Sequence, residues 1–245
     1  RNFTDNMYEH LECIALRTTR ISDSKSLLSV WERTHGRLTF AIPAGASREA
    51  RRRRAVTSPM MLFGCQCDLR PGRDIYSARE LTAADGAAVV DRSPAKAMSG
   101  MFLGEFLDLM LRRADVDRHL SDFLFGSAQA LSLIENSRAV ANFHIIFLYR
   151  LAHFMGIEPS LDSEGNVFDL REARFRDTAP GHSDYLDGQE AKMVRIMGRY
   201  SYDRAQRLPL DRFGRKSALD IILRYFSIHL TSLDSIKSLD VLRSM

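Results

Sequence analysis

The feature that most limits how this chain can fold is a change of hydrophobic period near residue 86. Before it, short alternating or apolar runs are cut by turns; after it, apolar residues recur at helical spacing. Residues 11–20, 26–33, 37–42, 60–69 and 74–81 read as five strands. Thr34-His35-Gly36 and Arg70-Pro71-Gly72-Arg73 form turns between them, and Pro59 breaks the chain. Five such strands without a crossover helix predict a small antiparallel barrel.

Ser93-Pro94 is a helix start, with Ser in the capping position and Pro in the first turn. Met98, Met101, Phe102, Phe106, Leu107, Leu109 and Met110 continue it as a stripe to about Arg113. Further helices are expected over 117–135, 139–155 (stopped by Gly156 and Pro159), 187–200, 211–230 and 238–242. Within the polar stretch 160–180, residues 167–170 and 173–176 are expected to pair as a small hairpin. The expected class is therefore α+β, with a barrel domain over 7–82 and an all-α helical domain over 83–245 that carries the hairpin insertion. Residues 1–6 precede Met7 and are expected to be a tag or leader. No repeat of fixed period is present.

The 245 residues are 45% hydrophobic and 27% charged, the balance of a globular chain rather than a disordered or fibrous one. No apolar run approaches the roughly 18–20 residues of a membrane span, so no membrane partner is expected. Cys13, Cys65 and Cys67 cannot form a disulfide framework, and no secretion signal is evident, so a reducing cytoplasmic setting is expected.

Familiar catalytic patterns are absent. Gly214-Arg215-Lys216-Ser217 has the tail of a phosphate-binding loop without its upstream glycine. Asp162-Ser163-Glu164-Gly165-Asn166 starts like a calcium loop, but Val167 replaces the turn glycine and Ala173 the bidentate glutamate, so it reads as a hairpin turn. Cys65 and Cys67 share one strand face and have no second pair, which favours a buried structural role over a metal site. His35, His144 and His153 have no carboxylate spaced to orient them and read as core or surface residues. No catalytic residue, metal or cofactor is expected.

Charge is uneven along the chain. Residues 7–82 hold 13 Lys and Arg against 8 Asp and Glu, whereas residues 83–245 hold 21 against 22. The whole excess lies in the first third, which points to a polyanion-facing module. Only five of the 35 cations are Lys; Arg suits bidentate phosphate contacts, although an arginine-rich genome gives the same bias.

The sharpest local feature is the run Arg48, Arg51, Arg52, Arg53 and Arg54, interrupted by Glu49 and Ala50, between the third and fourth strands. Self-repulsion predicts a mobile arm there, either merely solvated or binding phosphates. Lys25, Arg33, Arg37, Arg70 and Arg73 add charge at nearby strand ends and turns. Trp31 and Phe40 on the adjoining strands can stack bases or pack in the core. A second basic stretch holds Arg195, Arg199, Arg204, Arg207, Arg212, Arg215 and Lys216 against Asp203 and Asp211. It reads as an ordinary solvated surface, a continuation of the nucleic-acid track, or a receiver for an acidic peptide.

Taken in order, several stretches resemble the RecO family of bacterial recombination mediators, in a form similar to Bacteroidetes sequences. They are Asp23-Ser-Lys-Ser26 through Thr34-His-Gly-Arg-Leu38, Thr57-Ser-Pro-Met-Met-Leu62, and Met101-Phe-Leu-Gly-Glu-Phe-Leu-Asp-Leu-Met-Leu111. Asn142-Phe-His-Ile-Ile-Phe-Leu-Tyr-Arg-Leu-Ala-His-Phe-Met-Gly156, Phe168-Asp-Leu-Arg-Glu-Ala-Arg-Phe175 and Lys237-Ser-Leu-Asp-Val-Leu242 complete the set, so the likeness runs from Met7 to the end. The resemblance implies an N-terminal OB-fold and a C-terminal helical domain. It implies binding of single- and double-stranded DNA, annealing of complementary strands, and work in DNA damage repair and the SOS response in the nucleoid. Implied partners are RecR, the acidic C-terminal tail of single-stranded DNA-binding protein and, indirectly, RecA. Three departures stand out. Many members carry four zinc-binding cysteines in the region matching 158–180, and this chain has none, so no zinc and a hairpin are expected. Basic residues that some members have at positions matching Thr39 and Pro43 are absent, which moves the expected DNA charge to 48–54. Ala141 and Asn142 stand where some members have Arg before the residue matching Phe143, at the tail-docking site. The rival expectation from another class is a protein-interaction adaptor that binds no DNA and grips acidic partner segments.

Overall fold

In the computed structural model, residues 8–84, 93–230, 233, 235–239 and 242 are described. The proposed leader at 1–6, most of the expected boundary at 82–92 and part of the expected last helix at 238–242 lie outside them; within that last helix, Leu242 N–H donates to Ser238 C=O. The chain divides into two compact units, Arg1–Leu133 and Ile134–Met245.

The first unit opens with strands β1 (Glu9–Arg20), β2 (Lys25–Glu32), β3 (Gly36–Pro43), β4 (Leu62–Cys67) and β5 (Tyr76–Ala83). They close into a barrel in the order β1-β2-β3-β5-β4. Closure is possible because β1 is long: Glu9–Ile14 pair with β4 and Cys13–Arg20, across a bulge at Ala15/Arg17, pair with β2. The remaining seam is a short parallel pairing of Phe40 with Tyr76 and Ala41 with Ser77. That order is the one an OB-type barrel uses.

Alternate residues fill the barrel interior: Leu11, Ala15, Leu28, Val30, Phe40, Ile42, Phe63 and all three cysteines. Burial pushes the Cys67 thiol up to about 11, and hydrogen bonding to Cys65 together with burial pushes Cys13 above the ordinary thiol range. Protonated, buried thiols are poor metal ligands and poor nucleophiles. They act here as small apolar side chains.

Between β3 and β4, where a mobile loop is expected, the chain forms helix α1 (Arg48–Val56). Ser47 caps it by accepting the Ala50 N–H at 3.1 Å, Glu49 sits in its first turn, and Arg53 and Arg54 sit in its last, as the helix dipole favours. Ala50 and Val56 bury its inner side.

Helices α2 (Pro94–Met110) and α3 (Arg118–Leu133), joined through a 3-10 turn at Leu111–Arg113, complete the unit. α2 lies against β1 so closely that a Cβ on Gly104 would strike the Leu16 carbonyl and Pro59. Outward-facing Ile14 and Leu16 are fully buried, although they lie outside the barrel interior.

The second unit contains α4 (Ser137–Phe154), α5 (Gly188–Gly198), a 3-10 segment (Tyr202–Arg207) and α6 (Arg212–His229). It also holds a three-stranded sheet ordered β7 (Arg174–Arg176), β6 (Val167–Asp169), β8 (Tyr185–Leu186). Phe168 opposite Phe175 forms the expected hairpin. The 162–166 segment is its lead-in rather than its turn: Ser163 Oγ accepts the Phe175 N–H, and Gly165 passes close to Arg176. Phe143, Phe147, Phe168 and Phe226 are among its fully buried side chains. Both halves of the α+β expectation, a closed five-stranded barrel and then helices with a small sheet, are present.

Candidate nucleic-acid interface

At 100° per residue, Arg48, Arg51 and Arg52 fall on the face of α1 opposite Ala50 and Arg53. Arg48, Arg51, Arg52 and Arg54 are exposed. Arg53 is drawn inward, where it donates to the Pro43 carbonyl at 2.8 Å and to Glu49 at 3.2 Å. Arg54 donates to the Gly45 carbonyl and Arg51 to the Ala46 carbonyl. These bonds relieve crowding without neutralising charge, because a carbonyl carries none and a guanidinium has five donors. Five arginines thus stand against the one acid Glu49. Lys25, also exposed, pairs in register with Pro43, whose carbonyl Arg53 holds, so it joins the same end of the barrel.

Two expected members lie elsewhere. Arg37 donates from Nε and Nη2 to Asp108 of α2, at 3.1 and 2.7 Å, and to Ser29 Oγ. Arg33 pairs with Glu12 at 2.6 Å and Asp122 at 3.2 Å, and stacks over the Phe125 ring. Both fasten the barrel to α2 and α3, with their charge compensated by the chain's own acids. In the turn between β4 and β5, Arg70 is paired with Asp68 and Arg73 is exposed.

Trp31 and Phe40 are both fully buried. Phe40 points into the barrel. Trp31 lies outside the interior cluster, and its Nε1 donates to Ser121 Oγ of α3 at 3.0 Å. Of the two sequence alternatives, the core is where the structure puts these rings.

The second basic stretch also divides. Arg195 donates to the carbonyls of Leu161, Ser163 and Gly165 and stacks over Phe175, so it braces the hairpin. Arg204 pairs with its neighbour Asp203. Arg199 and Arg207 are exposed, as are Arg212 and Lys216 at the start of α6, with Phe213 between them at 78% exposure. On another side of α6, Ser137, Arg138, Ala141, Met193, Pro209, Leu210, Asp211, Gly214 and Arg215 line an open groove of about 750 Å³. Arg215 is half-buried there, donating to the Leu210 carbonyl, and its desolvation lowers its pKa. Arg138 and Phe213 were not marked by the sequence. Arg138 stands alone in its segment, and an aromatic in an amphipathic helix ordinarily signals core.

Residues 92–240 match the family model described as the C terminal of recombination protein O. The chain belongs to the RecO family. Its relatives include the DNA repair protein RecO of Phocaeicola vulgatus, 29% identical over 234 residues and spanning 95% of this chain and 96% of that protein. The DNA repair protein RecO of Porphyromonas gingivalis is 28% identical over 238 residues (95% and 96%), and that of Flavobacterium johnsoniae 20% over 236 residues (96% and 97%). RecO proteins are DNA repair and recombination proteins, and this chain is a member.

In the region where the resemblance implies zinc cysteines in other RecO proteins, the hairpin here is built around Asp169, whose side chain is fully buried. It accepts the Arg171 and Glu172 N–H groups and pairs with Arg176 at 3.1 Å. Burial alone would raise the pKa of this carboxyl, but these hydrogen bonds outweigh it and hold it below its ordinary value. Among the described residues, no group of three or more His, Cys, Asp or Glu could hold a metal ion.

Asn142, where the resemblance implies an arginine in some members, is fully buried and donates to the Ala205 and Leu208 carbonyls. It ties α4 to the 3-10 segment Tyr202–Arg207 and the residue after it. Two of the three histidines do find carboxylates locally, contrary to expectation, His35 with Glu32 at 2.7 Å and His153 with Glu158 at 2.5 Å, while His144 is buried in the core. Glu32 is the organiser of its turn, also accepting the Thr34 and His35 N–H groups. Among the described residues, no helix is long and apolar enough to cross a membrane.

Proposed function

We propose that this RecO protein is a recombination mediator that makes and breaks no covalent bond. It binds single- and double-stranded DNA through residues 7–82, anneals complementary strands, and works with RecR to load RecA onto strands coated by single-stranded DNA-binding protein. The observation that carries this reading is the outer face of α1, where Arg48, Arg51 and Arg52 stand exposed beside Arg54 and Lys25 with one acid among them. Side chains placed this way neutralise phosphates and release counterions, whatever the base sequence. Two strands held against one cationic surface repel each other less, so annealing needs no nucleotide hydrolysis. Of the DNA contacts expected from sequence, Lys25, Arg48, Arg51, Arg52 and Arg54 keep that role, with Arg73 a further exposed cation. Arg33 and Arg37 instead tie the barrel to α2 and α3, Arg53 is drawn inward, and Arg70 is paired with Asp68.

A second observation favours an acidic partner in the other unit. The groove lined by Arg138, Arg215, Leu210, Met193 and Pro209 combines two guanidinium groups with apolar side chains against one acid, Asp211. That chemistry suits an acidic, apolar-ended peptide such as the tail of single-stranded DNA-binding protein. Cytoplasmic, nucleoid-associated placement follows from the same reading.

The test is annealing of complementary oligonucleotides by the full chain and by an Arg48→Ala/Arg51→Ala/Arg52→Ala variant. Annealing should fall at least tenfold in the variant, with the unfolding midpoint kept. Full annealing by the variant would remove α1 from the reaction. A protein that binds an acidic peptide and no oligonucleotide would be the adaptor instead.

A further inference from the structure

We infer that the second unit carries its own contact for single-stranded nucleic acid, in which Phe213 is a base-stacking platform and Arg212 and Lys216 hold the flanking phosphates. The inference rests on the DNA-binding reading above and extends it to residues that reading does not use.

Phe213 is 78% exposed, the most exposed large apolar side chain among those described. Every other phenylalanine in α4 and α6 that the structure buries does so against a neighbour, as Phe143 stacks on Tyr202 at 4.7 Å and Phe226 is fully enclosed. An aromatic left in water at a helix start forgoes the burial that normally justifies it. Its neighbours are equally unusual. Arg212 lies four residues from Lys216, and Phe213 three, so the three occupy one side of the first turns of α6. Both cations are exposed beside the ring, and Arg212, in the first turn, opposes the helix dipole. The first turn contains no acid; the capping carboxylate of Asp211 accepts the Gly214 N–H at 2.7 Å.

The shape of the patch selects its ligand. At 100° per residue Phe213 falls on a different side of α6 from Gly214 and Arg215, which line the groove, so the exposed ring is not among the groove's lining residues. A folded peptide's apolar side chain would need a pocket, and paired bases in a duplex already have both faces stacked. An unpaired base has a free face, and the phosphates on either side of it lie within reach of flexible cationic side chains. The arrangement reads stacking rather than base identity, so it is tolerant of sequence.

The test uses the full chain with two single strands of equal length, one of oligothymidine and one of abasic sugar-phosphate. Phe213→Ala and Phe213→Leu should each weaken oligothymidine binding about tenfold and leave the abasic strand unchanged. Leucine keeps the apolar area but not the π face, so the two variants should agree. Both should keep the wild-type unfolding midpoint, since the ring supports no core. The Arg48→Ala/Arg51→Ala/Arg52→Ala variant should weaken both strands alike. If both Phe213 variants bind oligothymidine as the wild type does, the inference is overturned while the DNA-binding reading stands. Loss of affinity for an acidic peptide without loss for oligothymidine would overturn it equally and assign the patch to a protein partner. If the wild type binds neither strand, the DNA-binding reading fails, and the inference with it.

Discussion

Arg37 of β3 donates to the Asp108 carboxylate of α2 at 2.7 Å, joining residues 71 positions apart and fixing the barrel to the helix that follows it. The Asp108 side chain is 4% exposed and that of Arg37 24%, so the pair is shielded, with Arg112 also approaching Asp108 at 3.8 Å. An arginine that the sequence offers as a DNA contact thus has its charge compensated by one of the chain's own carboxylates.

Asp108→Ala should cost about 3 kcal/mol in urea unfolding, because it strands the Arg37 guanidinium in a partly desolvated place. Single-strand affinity at a temperature where the variant is folded should be unchanged. A loss of affinity with stability intact would return Arg37 to the DNA surface.

Trp31 is the single tryptophan of the chain, fully buried and bonded to Ser121. Its emission should be blue-shifted and should stay unquenched when an oligonucleotide saturates the protein. Trp31→Phe should lower stability by roughly 1–3 kcal/mol, since Ser121 Oγ then loses its partner inside the core. Quenching by oligothymidine would mean that the ring reaches bases after all.

Burial, reinforced by the nearby Arg215 guanidinium, lowers the His144 pKa to about 3. In the unfolded chain an ordinary histidine titrates near 6.5. Between these values the unfolded state binds a proton that the folded state does not, so stability falls as pH drops from about 6.5 toward 3. The slope approaches about 1.4 kcal/mol per pH unit. Above pH 7 the effect is absent. Denaturant titrations of His144→Leu across this window should show the slope reduced by that amount.

Gly104→Ala should destabilise the first unit by roughly 1–3 kcal/mol, because the added methyl meets the Leu16 backbone and the Pro59 ring. The helix-propensity gain of alanine over glycine is smaller than this and does not rescue it. An unchanged urea midpoint would mean that α2 can move off β1 freely.

The strand and helix pattern was legible because it is local. Period-two runs between Gly and Pro turns mark β1 to β5, and the Ser93-Pro94 start marks α2. Helix α1 was hidden by its own charge: five arginines suggest repulsion, while the features that permit a helix are the Ser47 cap and the Pro43, Gly45 and Ala46 carbonyls that receive the guanidiniums. Arg33 and Arg37 could not be separated from Arg51 and Arg52 on sequence. Their acids, Asp122 and Asp108, are brought to them only by the fold. Trp31 was ambiguous for the same reason, since its cover is α3 rather than the barrel. Phe213 escaped notice because a helix surface position looks apolar in sequence whether or not anything covers it.

The most direct measurement is the salt dependence of single-strand binding by the full chain with and without Arg48, Arg51 and Arg52. Removing three phosphate contacts should make the slope of log K against log salt shallower by about 2 and weaken binding equally for every base sequence. An identical slope and affinity in the Arg48→Ala/Arg51→Ala/Arg52→Ala variant would contradict the claim that the arginine face of α1 grips DNA.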